Sequence, residues 1–124
     1  MSRLKQPAPI VSKADVERIV RRDDSRDNFH KVISMLNEYG AEDRQREPDR
    51  VRLAVLKLAN GNIEELKRFL GWAKCDYRDV LSPAEYPMAS EIWFRMEKMI
   101  KEDIETIFQQ DWEQYEYWLE KGLA

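Results

Sequence analysis

His30 and Cys75 carry the only imidazole and the only thiol in this 124-residue chain, so nucleophilic or transition-metal chemistry would have to begin with them. A catalytic base needs a nucleophile within reach and a third group to orient it, and no spacing in the sequence joins these two residues. His30 falls on the polar flank of a helical stripe beside Phe29. Cys75 is expected beside Asp76 as a half-buried thiol. Asp23, Ser25 and Asp27 alternate like the opening of a calcium loop, but Asn28 stands where the sharp-turn glycine belongs and Ser34 where the bidentate glutamate belongs. Glu113 and Glu116 share a helix face without a Glu-x-x-His partner motif. The sequence therefore assigns no catalytic residue, no metal ligand and no cofactor.

The aromatic residues are more informative. On the last helical segment Trp112, Tyr115 and Leu119 share one face with Trp118 at its edge, the pattern of a core-facing stripe. Tyr117 points away from that stripe and is ringed by Glu113, Glu116 and Glu120. Phe94 and Trp72 likewise fall off the apolar stripes of their own helices. Aromatics left outside a core are enriched at interfaces. The candidate partner-binding residues are therefore Glu113, Glu116, Tyr117, Glu120, Phe94 and Trp72.

The elements that must hold these residues are helical. The chain is 43% hydrophobic and 36% charged with only four glycines and five prolines, which suits the solvated faces of amphipathic helices in one domain. Pro7 and Pro9 predict an extended arm over 1–11, followed by a single helical domain over 12–124. Ser12 caps a helix over 13–22. Asp24 or Ser25 opens a second, which the stripe Phe29, Val32, Ile33, Leu36 and Tyr39 carries to Tyr39 before Gly40. A polar loop over 41–47 leads to Pro48 at the first helical position. Helix 48–60 is apolar around nearly its whole circumference and is expected at the centre of the core. Asn60-Gly61 stops it, Asn62 and Glu65 cap the next helix, and 48–74 reads as an antiparallel hairpin.

Beyond the hairpin, Asp76 to Leu81 predicts a short helix and Ser82-Pro83-Ala84-Glu85 a second cap cut short by Pro87, together a kinked connector. The longest helix is expected over 90–109, burying Ile92, Trp93, Met96, Met99, Ile100, Ile104, Ile107 and Phe108. A final helix is expected to start at Asp111, with Gln114 at capping-box spacing, and to stop at Gly122. The fold class is thus all-α with about six helices and no repeat.

Charge narrows the partner. The net charge is −3, but 85–124 holds ten acids against four bases, which makes the C-terminal third the acidic end. Phosphate backbones and anionic lipid are repelled by such a molecule. The Gly61 hairpin resembles a helix-turn-helix only in outline, because Lys57 and Lys67 occupy positions where that motif packs small or apolar residues. Arg18, Arg21, Arg22 and Arg26 interleave with Asp15, Glu17, Asp23, Asp24 and Asp27, so their field nearly cancels. With one cysteine, no apolar leader and no long apolar run, the expected location is the cytoplasm.

The stretch from Glu47 to Asn62, EPDRVRLAVLKLANGN, with Ala73-Lys74-Cys75-Asp76-Tyr77-Arg78-Asp79-Val80-Leu81, Ala84-Glu85-Tyr86-Pro87 and Asp111-Trp112-Glu113-Gln114-Tyr115, resembles a group of small, uncharacterised bacterial α-helical proteins. The resemblance implies a bacterial, soluble, helical protein and transfers no activity, cofactor or site residue. The functional expectation is a non-enzymatic protein-protein interaction module, such as an immunity-like inhibitor or an adaptor, with an acidic C-terminal surface. Its partner would be another protein of basic charge; membrane and nucleic acid are disfavoured, and a homo-oligomer is compatible. The alternatives are a small enzyme built on His30, Cys75 or a tyrosine, and a nucleic-acid-associated regulator.

Overall fold

A computed structural model describes residues 8–121. Most of the expected arm, residues 1–7, and the expected stop at Gly122 lie outside the described residues. Among the described residues all regular secondary structure is helical: α1 (Lys13–Asp23), a 3₁₀ turn (Arg26–Asn28), α2 (Phe29–Leu36), α3 (Pro48–Ala59), α4 (Ile63–Cys75), α5 (Arg78–Glu85), α6 (Pro87–Ile92), a second 3₁₀ segment (Trp93–Lys98) and α7 (Lys101–Glu120).

Local signals set the boundaries of the first half. The Ser12 amide donates to the Asp15 carboxylate at 2.9 Å, closing the cap of α1. Pro48 occupies the first position of α3, and Asn60 and Gly61 leave that helix at φ values of 49° and 80°. The left-handed turn brings Gly61 against the end of α1, where a Cβ would stand 3.0 Å from the Asp23 carbonyl. Asn62 Oδ1 accepts the Glu65 amide at 3.0 Å and starts α4.

α3 is the central helix. Val51, Leu53, Ala54, Val55, Leu56 and Ala59 are buried, and the helix packs on α1, α4 and α5. One polar tie crosses this core: Arg50 on α3 donates through Nε and Nη2 to both oxygens of Glu85 on α5, at 2.7 and 2.6 Å, with the Tyr86 hydroxyl at 3.3 Å. The bidentate geometry satisfies a carboxylate that is otherwise out of reach of water. The end of α1 is stapled to the end of α7 by Arg22, which donates to the Trp118 and Lys121 carbonyls and lies over the Trp118 ring. A cation at a helix C-terminus is favoured by the helix dipole as well as by the unsatisfied carbonyls.

Four expectations are corrected. The second helix ends at Leu36 and not at Tyr39; Tyr39 is buried in the following turn, where its hydroxyl donates to the Arg46 carbonyl at 2.7 Å. The start at Asp24 or Ser25 is also later than expected, because the 3₁₀ turn precedes α2. Ser82-Pro83 does not open a new helix. α5 runs through it, since Val80, Leu81 and Ala84 on one face are all buried and hold the turn. The expected helix over 90–109 is three pieces: α6 begins at Pro87, a 3₁₀ segment follows, and extended backbone at Met99 and Ile100 separates it from α7.

The fourth correction concerns Asp111, which starts no helix. It lies inside the continuous 20-residue α7 and is 1% exposed. Its carboxylate accepts the amides of Met88 and Ala89, both at 3.0 Å, and so caps α6 across the tertiary structure. Gln114 reaches the same region, its Nε2 donating to the Glu85 carbonyl at 3.2 Å and the Asp111 carbonyl at 2.9 Å. The capping-box spacing is present, but both side chains serve α5 and α6.

Two apolar clusters result. The larger spans α1 to α5 and takes in Trp118 and Leu119 of α7; the smaller joins Ala89, Met96 and Phe108 with Tyr86, Ile92, Met99, Ile104 and Ile107. The N-terminal half of α7 therefore carries a small lobe made of α6 and the second 3₁₀ segment, while its C-terminal half packs on the main body.

Candidate partner-binding surface

α7 divides sharply between its two sides. Phe108, Asp111 and Tyr115 are buried, whereas Glu102, Glu105, Thr106, Gln109, Gln110 and Glu113 line a shallow groove along the outer side. The helical period carries this outer stripe on to Glu116, Tyr117 and Glu120, so it runs the length of a 20-residue helix, about 30 Å. Tyr117 is 72% exposed. Among the described residues, Glu105 is the one carboxylate of this stripe with a cationic partner, Lys101 at 3.8 Å. Gln109 Nε2 donates to Glu113 at 3.1 Å. The stripe is therefore a largely uncompensated negative surface with one aromatic ring in it.

Phe94 is 76% exposed on the 3₁₀ segment, with the Arg95 guanidinium 5.6 Å from its ring centre. Trp93 beside it is 65% exposed, and Ile100 and Met88 also reach solvent. Trp93 and Ile100 were expected inside the stripe of a helix over 90–109. The extended break at Met99 and Ile100 resets the register, so that stripe never forms on one face. Trp93, Phe94 and Ile100 therefore crown the small lobe beside the start of α7, at the N-terminal end of the acidic stripe, while Met88 lies on α6 beside Asp111, midway along α7. Trp93, Ile100 and Met88 could not be found by helical periodicity, which assigns the first two to a core.

Trp72 belongs to a different part of the surface. It is exposed on α4, edge-on to Phe69 at 5.0 Å, and the Arg68 guanidinium lies 4.8 and 5.2 Å from the two ring centres. α4 packs on α2, α3 and α5, whereas α7 packs on α5 and α6. The structure thus places Glu113, Glu116, Tyr117 and Glu120 together on one stripe, Phe94 on the lobe beside its start, and Trp72 on another element.

His30 and Cys75 line different clefts. His30 lies edge-on to Phe29 at 5.4 Å in a cleft with Arg21, Asp24 and Ser25. Burial, reinforced by the neighbouring Asp23, pushes the Asp24 carboxyl above its ordinary range. Cys75, expected half-buried, is exposed at the C-terminal end of α4, in a cleft with Lys74, Asp76 and Arg78. Ser25, His30 and Asp24 line the first cleft, but among the described residues no side-chain hydrogen bond joins them. Among the described residues no group of three or more His, Cys, Asp or Glu is placed to hold a metal ion, and no helix is long and apolar enough to cross a membrane. No family model, no curated protein and no solved structure matches the chain.

Proposed function

We propose that this chain is a non-enzymatic protein-interaction module that binds a basic protein partner, in the manner of an immunity-like inhibitor or an adaptor. The observation that carries the reading is the pairing of exposed Trp93 and Phe94 with the largely uncompensated acidic stripe of α7. Aromatic side chains supply most of the energy at hot spots, and a single-sign stripe raises the on-rate for a partner of opposite charge. The crown alone would fit any apolar groove. The five carboxylates Glu102, Glu105, Glu113, Glu116 and Glu120 select a basic occupant over a second copy of the same acidic chain.

The test uses the full chain with a photo-crosslinking phenylalanine analogue at position 94, followed by purification of the captured protein and direct titration. The expected partner is basic. Its affinity should fall more than about tenfold for Tyr117→Ala combined with Glu113→Lys, and again for Trp93→Ala with Phe94→Ala. The thermal midpoint of the first pair should stay within about 0.5 kcal/mol of the parent, as for most surface substitutions. A captured protein that is acidic, or one whose affinity neither pair changes, overturns the proposal. A large loss of stability on replacing Tyr117 would show that it is part of the core.

A further inference from the structure

The cleft between the 40–46 turn and the junction of α4 with α5 has a volume of about 480 Å³, inside the range of small-ligand sites. It is walled by the turn after α2, the end of α4 and the start of α5, and shares no residue with the acidic stripe. Its wall holds Gln45, which is more than nine-tenths buried. Gln45 Oε1 accepts the Gly40 amide at 2.8 Å and the Glu42 amide at 3.2 Å. Those two donors fix which end of the side-chain amide is oxygen, so the remaining end is an N–H₂ donor. Among the described residues that nitrogen has no hydrogen-bond partner. The side chain is thus buried and oriented by two backbone bonds, while its donor nitrogen stays open to solvent and unused, a built feature.

Four cations surround it: Arg44, Arg46, Lys74 and Arg78 line the cleft against a single lining carboxylate, Asp76. Arg46 makes no ion pair or side-chain hydrogen bond among the described residues. Arg44, Lys74 and Arg78 are held by Glu42, Glu38 and Asp76 at 2.8, 3.0 and 2.9 Å. All three pairs are substantially solvent-exposed, and such pairs contribute little, so a doubly charged ligand can exchange with them. Tyr77, partly buried and packed on the core, lines the same cleft and supplies an aromatic wall.

We infer that this cleft binds a small phosphate-bearing molecule, with the Gln45 amide and the Arg46 guanidinium donating to the phosphate oxygens. The phosphate is the shared chemistry; a bare di-anion would use the donors alone, and a nucleotide would add its base to the Tyr77 ring. Arginine with a fixed amide donor suits phosphate geometry better than a point charge does.

Amide-resolved NMR titration of the full chain with inorganic pyrophosphate and, separately, with AMP tests the inference, with sulfate as the control anion at about 50 mM salt. The expected result is saturable movement of the Gln45 side-chain amide, with AMP also moving Tyr77 if the base is held. Gln45→Glu keeps both backbone bonds but replaces the donor with a carboxylate. It should weaken binding by at least about tenfold, and Arg46→Ala by about threefold or more. If the glutamate variant fails to fold, Arg46→Ala decides alone. No saturation by either phosphate probe overturns the inference. So does movement that sulfate reproduces fully, an adventitious ion only, or that survives both substitutions.

Discussion

Asp111 offers the most direct test of the fold, because local sequence gives it one role and the tertiary structure another. As the cap of a final helix it would satisfy amides within its own segment, and its replacement by alanine would cost about 1 kcal/mol. In the structure it accepts the Met88 and Ala89 amides, both at 3.0 Å, from inside α7. A hydrogen bond to a charged group contributes about 1.5–3 kcal/mol. Two such bonds, one to a fully buried amide, put the loss for Asp111→Ala at about 3–6 kcal/mol, a large share of a total that is typically about 5–15 kcal/mol.

At an unfolding entropy of about 2.1 cal/mol/K per residue, each kcal/mol lowers the midpoint of a chain this long by about 4 °C. Asp111→Ala should therefore lower the midpoint by more than about 10 °C. Asp111→Asn, which keeps one carbonyl acceptor, should lose roughly half as much. Hydrogen exchange locates the effect: protection at Met88, Ala89 and Phe108 should fall first, because these residues belong to the small lobe that Asp111 ties to α7. A midpoint shift under about 3 °C refutes the tertiary role. Exchange that rises at Glu113 and Gln114 while Met88 and Ala89 stay protected would restore the helix break at Asp111.

Two further perturbations follow from single residues. The Tyr115 hydroxyl is the one buried side-chain polar atom without a partner among the described residues. Tyr115→Phe should raise stability at neutral pH by about 1 kcal/mol, read by denaturant titration, and a comparable loss would show the hydroxyl bonded through water in the adjoining space. Burial holds the Tyr115 phenol well above its ordinary range, so its contribution is complete below the unfolded pKa near 10 and is lost as pH rises beyond it. The phenylalanine variant should lose less stability between about pH 10 and 12 than the parent, and Tyr39 and Tyr86, also raised by burial, should supply the remaining alkaline slope. Gly40 adopts φ +103°, and an added Cβ would stand 2.8 Å from the Arg52 guanidinium and 2.9 Å from Pro48 Cβ. Gly40→Ala should destabilise by more than about 2 kcal/mol; a neutral effect in thermal unfolding would show that the turn relaxes freely.

The sequence by itself determined the elements whose signals are local. The cap at Ser12, the proline start and Asn-Gly stop of α3, the Asn62 cap of α4 and the apolar circumference of α3 each act within one or two turns, so they read correctly without knowledge of neighbours. The exposure of Tyr117 was legible for the same reason, since it follows from the angle between that residue and the buried stripe of its own helix. That Phe94 would stand clear of its own stripe was legible too, though not the segment that carries it. Tertiary contacts decided the ends of α2, where Tyr39 is drawn into the following turn, and above all the stretch from residue 82 to residue 114. There Asp111 and Gln114 look like a helix start, and Ile92 to Phe108 look like one long stripe. The choice between a helix start and an interior residue rests on where the Asp111 carboxylate finds its donors, and those amides come from a segment more than twenty residues earlier. Once α6 is capped that way, the chain must break at Met99 and Ile100 to bring α7 back across it. The break turns Trp93 and Ile100 outward, because a change of register moves every side chain that a continuous helix would have kept on one face.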